Sequence, residues 1–388
     1  MHVGIDLLFL VPGETGGRET YARELLTALR RVRPDLRLTA FLNRETAAAG
    51  SGFWSEQVNC AVVLPHVSAR SRARWAAGEL VSVSRAAAHA SVDVLHGAGN
   101  FGSLHGPFAR VLTLHDLLWR ELPELMAPPL RWATEALVVP AARRATRVVT
   151  GSEASRQAIV AQLGVPAERV VTTPYGLGSL PEPGDAARGR AGLDLDRRPL
   201  ALAVATDLPH KNLALLLDAL AGMPAPERPM LAFVGHGTDC GALRARAREL
   251  GLEHDVRLLG GISSARLEDL YAAAALLVTP TRYEGFGLPV LEAMARGVPV
   301  ACSDIPVLRE VAGDEAAVWL DPGDAGTIAA AMRALLAGGA DVERRRAAGR
   351  ERAARFTWDA TAQATAEVYE AAAAAVGGAA GRASVPHS

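Results

Sequence analysis

The chain has 388 residues, 49% of them hydrophobic and 21% charged, with a formal net charge of -1. At roughly 150 residues per domain this length divides into two domains, and the near-neutral balance excludes the broad basic surface that a nucleic-acid partner requires. Cys60, Cys240 and Cys302 stand far apart with no CxxC spacing, which excludes a disulfide framework and a zinc site and fits a reduced, cytoplasmic setting.

The opening stretch, MHVGIDLLFLVPGETGG, carries an apolar run without the basic flank or small-residue cleavage site of an export signal, so it reads as a buried strand. No later run approaches the ~18 continuous apolar residues of a membrane helix. In the first half VGIDLLFLV, LRLTAFL, VNCAVVL, VDVLH, ARVLTLH and TRVVTG predict strands, and the helical patterns between them predict a parallel sheet with crossover helices. The first helix places Tyr21, Leu25, Leu29 and Val32 on one apolar stripe, with Arg23, Glu24, Arg30 and Arg31 toward solvent. Before it, Gly13, Gly16 and Gly17 form a loop that can close its N–H groups round phosphate or sugar oxygens, or serve only as a turn. Arg70, Arg72, Arg74 and Trp75 read as a solvated helix face or as a weak peripheral membrane contact. His115 and Asp116, adjacent at a strand end, point apart and make a poor metal site; the plain alternative is a capping Asp116 beside a buried imidazole.

The Pro-, Gly-, Asp- and Arg-rich segment from Pro181 to Pro199 separates two stretches of alternation, which sets a domain boundary shortly before it, near Tyr175. PLALAVAT, MLAFVG, DVRLLG, ALLVTP, VPVAC and AAVWL predict the second set of strands. In ATDLPHKNLALLLDAL a strand ends, Lys211 precedes a helix, and Leu213, Leu216, Leu217 and Leu220 face inward; a lysine there reinforces the positive potential a diphosphate needs. In FVGHGTDC the third glycine position of a nucleotide loop holds Cys240, so Gly235 and Gly237 read as a structural turn. The strongest signal is YEGFGLPVLEAMARGVPV, from Tyr283 to Val300, a loop at a strand's carboxyl end leading into a short helix. Gly285 and Gly287 allow backbone N–H groups to approach an anion there. Glu284 lies in the loop and Glu292 about a turn into the helix, where carboxylates can hold sugar hydroxyls and favour positive charge at an anomeric carbon. Periodicity is lost beyond Ala371, so 376–388 is expected as a disordered tail.

The E-x7-E spacing of Glu284 and Glu292 within EGFGLPVLEAMARGVPV resembles the retaining nucleotide-sugar glycosyltransferases of the GT-B fold, glycosyltransferase family 4, mannosyltransferase-like. The resemblance implies an α/β chain of two Rossmann-like doubly wound domains facing each other across a cleft. Residues 1–175 would form the acceptor side, with a C-terminal helix at about 356–375 packing back on it, and 176–355 the donor-binding domain. Glu284 and His115 would be catalytic, at the donor sugar, and Glu292 would hold the ribose hydroxyls. Gly285, Phe286, Gly287 and Leu288 would offer backbone contacts, Lys211 and Thr206 would meet the diphosphate, and Gly16 and Gly17 would belong to the amino-terminal glycine loop. Asp116, Ser152 and Gly235 are lesser pocket candidates. This chain has His210 and Thr206 where arginine is common in the family, which puts the diphosphate grip on Lys211.

The activity so implied moves a hexose from a GDP-mannose, UDP-glucose or UDP-GlcNAc type of donor to a glycan, lipid-linked or small natural-product acceptor. Retention would follow from front-face attack or from a covalent intermediate on Glu284. No cofactor and no metal are expected. An NAD-dependent oxidoreductase would need GxGxxG with an acidic residue about twenty positions on, which is missing. A non-catalytic nucleotide-sugar-binding protein would keep the fold without needing Glu284, Glu292, Lys211 and His115.

Overall fold

The computed structural model describes residues 1–50, 52–178, 183–193 and 197–383. The chain divides into two compact units: unit 1 is Met1–Gly176 with the chain from Thr357 onward, and unit 2 is Leu177–Phe356. Residues 181–182 and 194–196 of the expected linker lie outside the described residues.

Unit 1 is built on a parallel sheet of β1 (His2–Asp6), β2 (Arg37–Leu42), β3 (Cys60–Val63), β4 (Val94–Gly97), β5 (Ala109–Thr113), β6 (Arg147–Thr150) and β7 (Val170–Thr172). Their order across the sheet is β3-β2-β1-β4-β5-β6-β7. β1 is buried along its whole length because helices cover both faces of a parallel sheet, and Val3 sits in register between Leu38 and Val94. β1 stops at Asp6, short of the run VGIDLLFLV; Leu7, Leu8 and Leu10 are buried in the turn that follows, and an unbroken apolar run does not mark where extended backbone ends. β7 was not expected: three residues at a sheet edge are too short to show a period.

Helix α1 (Gly17–Val32) starts at Gly16, whose φ of 65° suits glycine, and buries Tyr21, Ala22, Leu25, Leu26, Ala28 and Leu29. Val32 is only half-buried, and Arg23, instead of reaching open solvent, pairs with Glu19 and lies over the Trp54 ring at 4.7 Å. The C-terminal helix, Trp358–Ala383, packs on α1. Thr361 Oγ1 donates to Pro174 O at 2.6 Å, and the Tyr369 hydroxyl bonds His96 Nδ1 at 2.7 Å. This helix continues through 376 to Ala383, where a disordered tail was expected, because its alanine-rich sequence keeps high helix propensity after the apolar stripe ends. Residues 384–388 lie outside the described residues.

Unit 2 carries the parallel sheet of β8 (Leu200–Val204), β9 (Met230–Val234), β10 (Val256–Leu258), β11 (Ala274–Thr279), β12 (Val300–Ser303) and β13 (Ala317–Leu320), in the order β10-β9-β8-β11-β12-β13. Helix α2 (Leu213–Ala221) buries Leu213, Leu216, Leu217 and Leu220 in the core that includes Phe233, Leu276 and Met332. The two ends of unit 2 are tied together, Leu177 N–H donating to Phe356 O at 3.1 Å. In unit 1, Gly176 lies so close to the returning chain that an added Cβ would fall 2.0 Å from Trp358 N.

In both sheets the strand order reverses once, between β1 and β4 in unit 1 and between β8 and β11 in unit 2. Open α/β sheets bind ligands in the crevice outside the strands' carboxyl ends at such a reversal. Among the described residues no helix is long and apolar enough to cross a membrane.

Candidate active site

In unit 2 the reversal point is flanked by the loop after β8 and the loop after β11, and these bring the expected residues together. Lys211 Nζ donates to Glu284 Oε1 at 2.6 Å, with the two side chains 19% and 12% exposed. They lie 73 positions apart in the chain, and a set of short bonds holds the loops in place. A 3-10 turn over Pro209–Lys211 ends at Asn212, whose φ of 60° is the left-handed conformation that asparagine tolerates. Asn212 Nδ2 donates to Pro280 O at 3.2 Å and Pro322 O at 2.6 Å, while Arg282 N–H and Thr281 Oγ1 both donate to His210 O. Lys211 therefore reaches Glu284 from a braced turn and not from a loose surface loop.

Gly287, at φ 102°, turns the chain into helix α3 (Leu288–Ala295). At the start of that helix Pro289 has no N–H, and Val290 and Leu291 donate theirs to Gly287 O at 3.1 and 3.2 Å, so the backbone donor outside these bonds in the first turn is Leu288 N–H. Phe286 is buried, its ring 5.9 Å from that of Phe356, so its contribution to a ligand would be through its backbone. Glu292 is held by residues not singled out in the sequence. The Tyr271 hydroxyl donates to Glu292 Oε2 at 3.0 Å, Arg296 Nε donates to Glu268 at 2.6 Å, and the Arg296 guanidinium lies 4.8 Å from the Tyr271 ring centre. Burial raises the Glu292 pKa; the Tyr271 bond and the Arg296 charge pull it back down, and Glu268 pushes it up. One carboxylate oxygen of Glu292 is thus committed to Tyr271. Tyr271 comes from another helix, and only its place in LYAAAALLV just before β11 hints at it.

Thr206 is half-buried just past β8. Gly235, at φ 137°, brings the end of β9 against it: an added Cβ would lie 2.1 Å from Ala205 O. Its N–H donates to Gly260 O at 2.8 Å, so Gly235 is a structural turn beside the loop. Among the described residues no three His, Cys, Asp or Glu side chains gather into a metal-binding group.

The remaining candidates belong to unit 1. Gly16 caps α1, and an added Cβ on Gly17 would meet nothing within 4 Å, which leaves that part of the loop open. Gly13 N–H is taken by Glu19 Oε2 at 2.8 Å. His115 is buried: Nε2–H donates to Ala98 O at 2.9 Å and Nδ1 accepts from the Tyr175 hydroxyl at 2.6 Å. Burial is the main cause that lowers its pKa to about 4, so the imidazole is neutral near pH 7 with both nitrogens occupied. Asp116 Oδ1 accepts Leu118 N–H at 3.1 Å, the capping role that was the plain alternative. Ser152 is also a cap, its Oγ accepting Ser155 N–H at 3.1 Å at the start of the helix Glu153–Leu163. The stretch read as a solvated helix face or a weak membrane contact does not present its aromatic freely. Trp75 turns inward, its indole N–H donating to Glu79 Oε1 at 2.9 Å and its ring meeting Phe101 at 4.3 Å, while Arg70 pairs with Glu14.

Residues 16–176 match the family model described as glycosyl transferase 4-like domain, and residues 189–352 match glycosyl transferases group 1. The chain is 32% identical over 284 residues to O-antigen chain mannosyltransferase B of Escherichia coli, covering 72% of this chain and 74% of that one. It is 31% identical over 303 residues to MMP alpha-(1->4)-mannosyltransferase of Mycolicibacterium hassiacum, covering 73% and 72%. Among solved structures, HepE of Anabaena in complex with UDP-glucose superposes with a TM-score of 0.77 at 21% identity, over 95% of this chain and 99% of that chain. Sucrose-phosphate synthase from Thermosynechococcus elongatus gives 0.75 at 23% identity, over 97% and 100%. With two doubly wound units and both family models matched in order, the chain belongs to the GT-B glycosyltransferases that pair a glycosyl transferase 4-like domain with a group 1 domain.

Proposed function

We propose that the protein is a retaining, metal-independent hexosyltransferase that binds a sugar nucleotide through unit 2 and an acceptor through unit 1. The observation that carries this is the Lys211–Glu284 contact, 2.6 Å long, at the reversal point of the unit 2 sheet. An ammonium has three N–H donors, so Lys211 can hold Glu284 with one and diphosphate oxygens with the others. Charge leaving with the diphosphate is met by Lys211 and by the positive end of the α3 dipole at Leu288. Glu284 stays next to the anomeric carbon, and the second oxygen of Glu292 is left for ribose hydroxyls. His115 enters this reading through Nε2–H, the atom that donates to Ala98 O. Gly16 and Gly17 supply loop N–H groups.

The two relatives described above, which cover 72% and 73% of this chain, are mannosyltransferases by name, which favours an activated mannose as the donor sugar, with UDP-glucose and UDP-GlcNAc types next. The acceptor class is a glycan, a lipid-linked sugar or a small natural product, reached from a cytoplasmic setting. The test is slow hydrolysis of GDP-mannose, UDP-glucose and UDP-GlcNAc by the purified chain, with the anomer of the released sugar read by NMR. One donor consumed with its anomeric configuration kept supports the proposal; an inverted anomer, or no binding and no turnover of any sugar nucleotide, sinks it.

A further inference from the structure

At the carboxyl end of β1, beside the reversal point of the unit 1 sheet, two acidic side chains are buried against each other. Asp6 is 2% exposed and Glu79 4% exposed, and their carboxyl groups are in hydrogen-bonding contact. One oxygen of each is accounted for: Asp6 Oδ1 accepts Leu8 N–H at 3.0 Å, and Glu79 Oε1 accepts the Trp75 indole N–H at 2.9 Å. The other two, Asp6 Oδ2 and Glu79 Oε2, are buried without any donor. As two carboxylates they would be a pair of adjacent buried charges with two unsatisfied acceptors, a doubly costly arrangement. A single proton placed between them satisfies both oxygens and removes one charge.

We propose that Asp6 and Glu79 hold one proton in common, and that this proton fastens the segment Arg72–His89 to the end of β1 as a positioning device for the unit 1 crevice. Glu79 lies in a π-helical turn, Gly78–Ser82, between the helices Arg72–Ala77 and Val83–His89, and such turns concentrate at functional places. Gly78 is pressed onto Val67, where an added Cβ would lie 2.7 Å from Cγ1, so the turn has no room to shift sideways. Trp75 carries the attachment onward to Phe101 in the loop after β4. The loop after β1 carries Phe9, against which Gly99 of the β4 loop packs, and Arg18 lies 5.6 Å from the Phe9 ring centre. The pair thus sits under both loops that flank the crevice.

The groups acting on the pair are each other, the Leu8 N–H and the Trp75 indole, and no basic side chain is among them. Burial and mutual repulsion raise both acids, Asp6 to about 6 and Glu79 well above its ordinary value. Because the folded values are raised, the stability tied to the pair is fully present at acid pH and is lost as pH rises through those values. The segment is therefore held most firmly at acid pH and is loosened as pH rises through the raised values of the pair.

The experiment uses the full chain and the isosteric variants Glu79→Gln and Asp6→Asn, in which an amide N–H replaces the shared proton permanently. Thermal melts from pH 5 to 9 are paired with hydrogen exchange of residues 72–89, each variant compared with wild type at the same pH. Expected is a wild-type melting temperature that falls as pH rises from 5 to 9, variants that fall less and melt above wild type at pH 9, and slower exchange of 72–89 in the variants at that pH. Variants that keep the wild-type pH dependence, or that melt below wild type at every pH, overturn the shared proton. Flattened melts with unchanged exchange of 72–89 overturn the positioning role.

Discussion

Replacing Tyr271 by phenylalanine removes one oxygen and leaves the ring in place beneath Arg296, so the change isolates the bond to Glu292. With Glu292 ionised, a buried hydrogen bond to a charged acceptor is lost, at about 1.5–3 kcal/mol; with Glu292 protonated the loss is that of a neutral bond, about 1 kcal/mol. Glu292 has its folded pKa raised above 4.5, mainly by burial, so the stability it contributes is complete below 4.5 and declines as pH rises through the folded value. Tyr271 is one of the groups that restrain that rise, and without it the decline extends to higher pH. For a unit of this size ~1 kcal/mol moves the melting temperature by about 3 °C, so Tyr271→Phe should melt about 3 °C below wild type where Glu292 is protonated and about 7 °C below it where Glu292 is ionised, the larger loss lying at the higher pH. Scanning calorimetry of the full chain at pH 5, 6.5 and 8 measures this. A shift that is absent, or equal at all three values, would refute the coupling between the phenol and the carboxylate.

Lys211→Ala should lower kcat/KM for the sugar nucleotide about 100-fold, from about 3 kcal/mol of lost charge stabilisation, with Lys211→Arg recovering part of it in steady-state assays. Gly287→Ala places a Cβ 2.5 Å from Leu308 Cδ2 on a residue at φ 102°, and a loss of about 2 kcal/mol should appear in urea unfolding. His115, lowered to about 4, and His96, lowered to about 3, both chiefly by burial, favour a folded state in which they are neutral. Their contribution is present above the ordinary value of 6.5 and is lost as pH falls through the folded values, so unfolding free energy should drop between pH 6.5 and 4, and less so in His115→Gln.

Much of the fold was legible because parallel strands covered on both faces must be apolar throughout, and twelve such runs stand out between helical patterns. β7 escaped because Val170–Thr172 is too short to carry a pattern. In the candidate site, Lys211, Glu284 and Glu292 were legible from their places beside strand ends, but their partners were not. Tyr271, Glu268 and Arg296 come from two helices, and nothing in their local spacing says that they converge on one carboxylate. Trp75 was misjudged for the same reason: beside three arginines it reads as a surface aromatic, and only the fold shows Glu79 waiting for its indole N–H four residues on. His115 stands where it was expected, yet its occupied nitrogens depend on Tyr175 and Ala98, which lie in other loops.

The Leu177–Phe356 bond closes the ends of unit 2 on themselves, and in unit 1 Gly176 abuts Trp358. The chain therefore leaves one unit and returns to it at a single doorway, so unit 2 is an uninterrupted insert whose two ends need little loop-closure entropy to be joined. Such an insert is a cassette: a gene segment can exchange it at two neighbouring seams without disturbing the sheet that receives it. Each unit can then be inherited and replaced as a module of its own.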